Sequence, residues 1–286
     1  MQILERIEPL RSALDGTRRT GASIALVPTM GALHEGHLAL VDRARAEATC
    51  VVMSVFVNPL QFGPNEDFAR YPRDLERDAG VAAARGVDLL FAPQPAELYP
   101  GARAVSVVPT SLASRWDGAS RPGHFTGVLT VVAKLFNIVQ PSVAVFGQKD
   151  FQQATLIRAM VRDLDFPIRI VVVPTVREAD GVALSSRNAY LSPEHRTSAR
   201  ALSGALFAMR DAFERGETSA PALEEIGRAI VDDEPAMEVE YLVVMDPETL
   251  DPVTVAAPGS IAAVAARIGT TRLIDNVIFE APGRRS

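Results

Sequence analysis

The apolar run Ile24-Ala-Leu-Val27, the decapeptide Pro28-Thr-Met-Gly-Ala-Leu-His-Glu-Gly-His37 and the amphipathic stretch Leu38-Ala-Leu-Val-Asp-Arg-Ala-Arg-Ala-Glu47 follow one another without a spacer. This order predicts a buried strand, a turn holding Gly31 and Gly36, and a helix with His37 in its first turn. Such a turn lies beyond the carboxyl end of a strand, where α/β folds place their ligands. The helix start offers unpaired N–H groups and a partial positive charge, and the imidazoles of His34 and His37 add donors suited to phosphate oxygens. Gly36 between the histidines leaves room for an approaching phosphate chain. The competing readings are a helix cap or a metal pair. Two histidines three apart lack the i, i+4 spacing of a zinc-protease helix, and no third strong ligand stands nearby.

Further apolar runs at 50–57, 87–92, 142–147 and 168–173 read as buried parallel strands, with helical patterns at 37–48, 74–85, 125–139 and 150–163 between them. The expected fold is α/β, a Rossmann-like doubly wound parallel sheet over residues 1–175. Beyond Val176 the texture changes. Asp180-Gly181 between two short runs predicts a hairpin, and Ser192-Pro193 starts a helix running to about Arg215. A helix at 220–232 and apolar segments at 239–245, 253–256, 261–266 and 272–279 complete a smaller α+β domain over 176–286, expected to touch the first and to hinge near 175.

A net charge of −6 argues against non-specific nucleic-acid binding, and no ~18-residue apolar run is present to span a membrane. With no signal pattern, a cytoplasmic protein is expected. The lone Cys50 reads as a buried, inert thiol. Of 29 basic residues only Lys134 and Lys149 are lysines, which singles out a lysine found beside a suspected phosphate site.

Lys149 stands in Gly147-Gln-Lys-Asp-Phe-Gln-Gln153, directly after a predicted strand. Gly147 permits a tight exit, Lys149 can neutralise phosphate charge, and Asp150 can hold ribose hydroxyls or a hydrated Mg²⁺. Gln153 lies about one turn on, able to reach the same cavity. Ser185-Ser-Arg-Asn188 offers two hydroxyls and a guanidinium for β- and γ-phosphates, although by itself the tripeptide is most often an exposed loop. The loops Asn58-Pro-Leu-Gln-Phe-Gly63 and Arg121-Pro-Gly-His-Phe-Thr-Gly127 carry more special residues than connectors need. The amides of Asn58 and Gln61 suit a small hydroxylated acid. His124 is either functional or a satisfied structural histidine, and a solvated helix face is the default reading of Asp74 and Asp78.

Together PTMGALHEGH (28–37), FVNPLQFGPNEDFARYPR (56–73), RPGHFTGV (121–128), FGQKDFQQ (146–153) and SSRNAYLS (185–192) make the chain resemble, over essentially its full length, the pantoate–β-alanine ligases of the nucleotidylyl transferase superfamily. Leu184 stands where the family usually has methionine, and Ala25 where glycine is common. The resemblance implies an ATP- and Mg²⁺-dependent ligase that makes pantothenate, AMP and pyrophosphate through a non-covalent pantoyl adenylate, working as a homodimer. His34, His37, Lys149, Ser185, Ser186 and Arg187 would contact the triphosphate and carry the catalysis. Met30, Gly31, Gly36, Gly147, Asp150 and Val176 would complete the nucleotide site. Met30, Asn58, Gln61, Tyr71, His124, Phe146 and Gln153 would surround pantoate, and Asp78 is the metal candidate.

Three other functions compete. A simple adenylylyl transferase keeps AMP on its product, and such enzymes are generally shorter than this chain. An aminoacyl-tRNA synthetase fits poorly with the acidic balance, and a nucleotide sensor predicts binding without turnover.

Overall fold

The structure, a computed structural model, describes residues 1–64 and 66–281. Contacts divide the chain into two units: Met1–Gln148 with Gln153–Pro174, and Lys149–Gln152 with the chain from Thr175 on. The short piece after the fifth strand thus groups with the second unit, which sequence reading assigned wholly to the first.

The first unit runs β1 (Gln2–Leu4), α1 (Ile7–Arg19), β2 (Ile24–Thr29), α2 (Glu35–Glu47), β3 (Cys50–Val55), α3 (Leu75–Ala84), β4 (Leu89–Phe91), the short α4 (Pro95–Leu98) and α5 (Trp116–Ser120), α6 (His124–Val139), β5 (Val143–Gly147), α7 (Phe151–Asp163) and β6 (Arg169–Val173). Its six strands are all parallel, in the order β1-β4-β3-β2-β5-β6. This is the doubly wound sheet expected. β1 was not read from the sequence, because three residues of strand carry too little periodicity; the amphipathic α1 was also not read.

Alternate strand residues face opposite layers. Leu26, Val52, Ala144 and Phe146 pack with Leu10, Leu14, Leu129 and Ile157 of α1, α6 and α7. Val27, Val51, Met53 and Val145 pack with Val41, Ala44 and Ala82 of α2 and α3. With helices on both faces, strands read as continuous apolar runs rather than alternating ones.

Strand order reverses between β2 and β5, and there the sheet opens. β2 stays in register with β3 to Thr29↔Val55, and β5 with β6 to Gly147↔Val173, but the β2–β5 ladder stops at Leu26↔Ala144. Pro28 has no N–H to extend a ladder. The two central strands therefore deliver Pro28–His37 and Phe146–Gln148 to the rim of one crevice at a topological switch point.

The second unit contains α8 (Pro193–Ser198), α9 (Arg200–Glu214), α10 (Ala220–Val231) and the antiparallel sheet β7 (Met237–Met245), β8 (Ile261–Ile268), β9 (Thr271–Ile278). Its core joins Leu202, Leu206, Met209 and Phe213 of α9 to Val244, Val264 and Val277. Two expectations are corrected. The long helix after Ser192 is broken at Ala199 into α8 and α9. Residues 253–256 form no strand: Pro252 removes a donor, Val255 is 65% exposed, and only isolated bridges remain.

Candidate active site

β2 hands the chain to a turn in which Gly31 (φ 84°) and Ala32 (φ 51°) both take left-handed backbone. Glycine is required at 31: a Cβ there would lie 2.8 Å from Asp78 Oδ2 and 2.9 Å from Val55 Cγ1. Thr29 Oγ1 donates to Ser54 C=O at 2.7 Å and accepts from Gly31 N–H at 3.2 Å. The chain then turns into α2 with extended backbone at His34 and His37 as its third residue. The rings lie 4.1 Å apart, and His37 Nδ1 faces the His34 N–H at 3.3 Å. An amide N–H can only donate, so Nδ1 accepts and neutral His37 carries its proton on Nε2.

Asp78, offered by the resemblance as a metal ligand, is occupied otherwise. It is 1% exposed, its Oδ2 accepts from Ala32 N–H at 2.7 Å, and its Oδ1 accepts from Leu33 N–H at 2.8 Å. Arg77 sits 3.3 Å from Oδ1 and donates to Leu33 C=O. Nor is Asp78 on a solvated face. Asp74 does cap α3, accepting from Arg77 N–H at 3.0 Å.

The Asn58–Gly63 loop turns through Pro59–Gln61 against α6, so closely that a Cβ on Gly127 would lie 2.2 Å from Leu60 C=O. Asn58, 1% exposed, is oriented by backbone groups of fixed polarity. Its Oδ1 accepts from Leu60 N–H (3.3 Å) and Tyr99 OH (2.9 Å), while its Nδ2 donates to Gly127 C=O (3.1 Å) and Gln61 Oε1 (3.0 Å). Gln61 therefore turns its carbonyl toward Asn58 and its NH₂ outward, 3.2 Å from Met30 Sδ. Burial pushes the Tyr99 hydroxyl up to about 12, keeping it a protonated donor. Tyr99 lies outside every motif in the sequence, and nothing short of the fold would have found it.

His124 is bonded as a structural histidine would be. Its Nδ1 meets Gln61 C=O at 2.7 Å and its Nε2 meets Arg121 at 3.0 Å; Arg121 in turn makes two 2.7 Å bonds to Glu66. The carbonyl can only accept, so Nδ1 bears the proton. Burial first, then Arg121, pulls the ring down to about 4. With both nitrogens engaged, His124 supports Gln61 from behind and has none left for substrate. Asn58, buried and fully bonded, likewise holds the Gln61 side chain. Tyr71 is buried, edge-on to Phe62 at 6.1 Å, and Phe146 lies in the core on β5. Gly147 needs no glycine for packing, since its φ is not left-handed and a Cβ would meet nothing within 4 Å. Gln153 lies partly buried in the first turn of α7.

In the second unit, Lys149 and Asp150 share the turn Gln148–Asp150, and Asn276 of β9 donates to Lys149 C=O at 3.0 Å. Beside Asn276, buried Asp275 receives two bonds from Arg177, at 2.6 and 2.9 Å. Arg177 also donates to Gly181 and Asn276 carbonyls and lies 4.9 Å over the Phe207 ring. The hairpin expected at Asp180-Gly181 is present: Arg177 bridges Ala183, Leu184 N–H donates to Val176 C=O, and Gly181 has φ 93°. It leads into Ser185, whose Oγ accepts from Arg187 N–H at 3.2 Å, and into the turn Ser186–Tyr190. Asn188 ties this turn back to Glu178 and Ala183. Lys149 and Ser185 line one small cavity with Asn188 and Asp275.

Comparison with known proteins gives this geometry its context. The pantoate-beta-alanine ligase family model matches residues 2–278. The chain belongs to the pantoate–β-alanine ligase family. It is accordingly a ligase that joins pantoate to β-alanine. The pantothenate synthetase of Moorella thermoacetica is 53% identical over 280 residues, covering 98% of this chain and 99% of that protein. The crystal structure of pantothenate synthetase from Thermus thermophilus matches with TM-score 0.94 at 51% identity, over 98% of this chain and all of that one. The ligase of Francisella tularensis, solved with β-γ ATP and β-alanine, matches with TM-score 0.80 at 33% identity, over 98% of both chains.

Proposed function

We propose that the ligase activates pantoate with ATP, forming a non-covalent pantoyl adenylate that β-alanine then consumes. A carboxylate is a poor acyl donor because its leaving group would be oxide. In the first step a pantoate carboxylate oxygen bonds to the α-phosphorus of ATP, the bond to the β-phosphate bridging oxygen breaks, and pyrophosphate departs. In the second, the free amine of β-alanine attacks the acyl carbon, the bond to AMP breaks, and the amine sheds a proton as the amide forms.

The observation that carries this reading is the switch-point turn, with His34 and His37 at the start of α2. Nε2–H of His37 and the N–H groups of Glu35 and Gly36 at the helix start suit charge growing on the α- and β-phosphates. Lys149, Ser185, Ser186 and Arg187 are the cation and hydroxyl groups for the departing pyrophosphate; Asp150, Gly147 and Val176 serve the nucleoside. Space left open at Gly147 supports close approach of a ligand to the backbone. Gln61, with its NH₂ outward, donates to an oxygen of pantoate; Gln153, Met30, Tyr71 and Phe146 complete that pocket. When bound with the nucleotide, Mg²⁺ would offset the negative charge of the triphosphate. Asp78 does not fit the ion, because it is 1% exposed and its oxygens already accept from the Ala32 and Leu33 amides and from Arg77. Assembly as a homodimer in the cytoplasm belongs to the same reading and rests on the family likeness.

The test is isotope exchange. With ATP, Mg²⁺ and pantoate but no β-alanine, labelled pyrophosphate should enter ATP. Exchange that requires β-alanine, or label left covalently on the protein, overturns the mechanism.

A further inference from the structure

We infer that Asp78 is a positioning residue: its carboxylate is the built-in anion that holds the Gly31–His34 turn, setting the histidines at the head of α2. The inference rests on the adenylation reading for its kinetic consequence, but on geometry alone for the clamp. Consecutive N–H groups of a tight turn can point into one concavity, an arrangement that binds anions. Here the concavity of Ala32 and Leu33 is filled by Asp78, at 2.7 and 2.8 Å. Ala32 is not glycine, and its φ of 51° needs support from its surroundings. That support comes from α3, more than forty residues away in sequence. Arg77 adds a second tie, since its guanidinium reaches Leu33 C=O at 3.1 Å and Asp78 Oδ1 at 3.3 Å. Leu33 is buried, and His34 follows it directly, so a displaced Leu33 would carry the histidines with it. Gly31 closes the arrangement, because any Cβ there would press on Asp78 Oδ2.

A metal ligand and a clamp differ in what they require of the carboxylate. A magnesium ligand needs a free lone pair facing the ion and its other oxygen donors. Asp78 is 1% exposed, each of its oxygens faces a backbone amide and Oδ1 also faces Arg77, so the carboxylate points to the turn rather than to an open ion site. Among the described residues, no group of three His, Cys, Asp or Glu side chains is placed to hold a metal.

Two measurements decide between them. Asp78→Asn replaces one acceptor with a donor facing an N–H group. At a temperature well below its unfolding midpoint it should lower the pantoate-dependent pyrophosphate exchange rate about a hundredfold, as a displacement of ~1 Å does. The fall should lie in kcat, with the half-saturating Mg²⁺ concentration unchanged. A normal rate, or a loss repaired by excess Mg²⁺, overturns the clamp. The second measurement uses unaltered, metal-free protein, so it stands even where the variant does not fold. The Ala32 and Leu33 amides should resist hydrogen exchange in EDTA, and added Mn²⁺ without nucleotide should not broaden their NMR signals ahead of surface amides. Unprotected amides, or selective broadening at low Mn²⁺, overturn it. If the unaltered enzyme shows no exchange without β-alanine, the adenylation reading falls while the amide measurement still decides the clamp.

Discussion

Gln61 in the first unit and Lys149 in the second are each held by residues distant in sequence, but the polarity of the Gln61 side chain is set by neutral groups, whereas the Lys149 backbone is held beside a buried ion pair. The Gln61 side chain rests on neutral groups, while its backbone carbonyl also takes a bond from Arg121, which is paired with Glu66. Tyr99 and two backbone groups fix Asn58, Asn58 fixes the Gln61 amide, and a neutral His124 holds the Gln61 carbonyl. The Lys149 backbone rests on Asn276, beside the buried Arg177–Asp275 pair. A neutral chain suits a residue whose donor and acceptor ends must not be exchanged, because each partner of fixed polarity decides the next. A buried ion pair suits a junction of segments. One guanidinium satisfies the 177–183 hairpin, β9 and its own counter-ion together, although desolvation consumes much of the attraction.

The comparison can be broken most severely in the second unit. Asp275→Ala leaves Arg177 without its counter-ion and should cost about 3–5 kcal/mol of stability, read from denaturant unfolding. Asp275→Asn, which keeps an acceptor, should cost less. Equal and small losses would mean that the pair organises nothing. Next come His34→Ala and His37→Ala, expected to slow pyrophosphate exchange by about 10²–10³ with unfolding midpoints little changed, one lost donor being worth ~3–4 kcal/mol in the transition state. Near-normal exchange in either variant would remove that histidine from the phosphate site.

His124 sharpens the contrast through pH. Its folded value of about 4 lies below the ordinary 6.5, so the unfolded chain binds the proton first. The stability it contributes is whole above pH ~6.5 and is lost as pH falls toward ~4, by about 3 kcal/mol in all. His124→Gln should flatten that part of the stability–pH curve, and an unchanged curve would contradict a buried neutral ring. The smallest effect is Tyr99→Phe. It removes one of two donors to Asn58 Oδ1 and should cost ~1 kcal/mol, with a rise of several-fold in the pantoate KM and little change in kcat. A fall in kcat with unchanged KM would show that Tyr99 does not act through Gln61.

Much of the fold was legible because the apolar runs at 24–27, 50–57, 142–147 and 168–173 are long, continuous and bounded. β1 escaped notice as three residues, and 253–256 looked like a strand because apolar residues recur there beside Pro252. The histidine turn and the Asp180-Gly181 hairpin were legible because glycines and caps are local signals. The burial of Asp78 was missed and His124 was left open because partners choose a side chain's occupation, and their partners lie 45 and 63 residues away. Tyr99 and the Arg177–Asp275 pair were missed for the same reason.

By itself the sequence determined what depends on short spacings. These are a strand, a glycine turn and a helix in unbroken succession, a doubly wound sheet, two histidines at a helix start and a lysine after a central strand. Tertiary structure alone decided which polar groups face a ligand and which hold those that do. A carboxylate beside a phosphate turn can bind a metal or an amide, and a buried imidazole can meet substrate or a carbonyl. The residues are the same in either case, and only the groups packed against them select between the two.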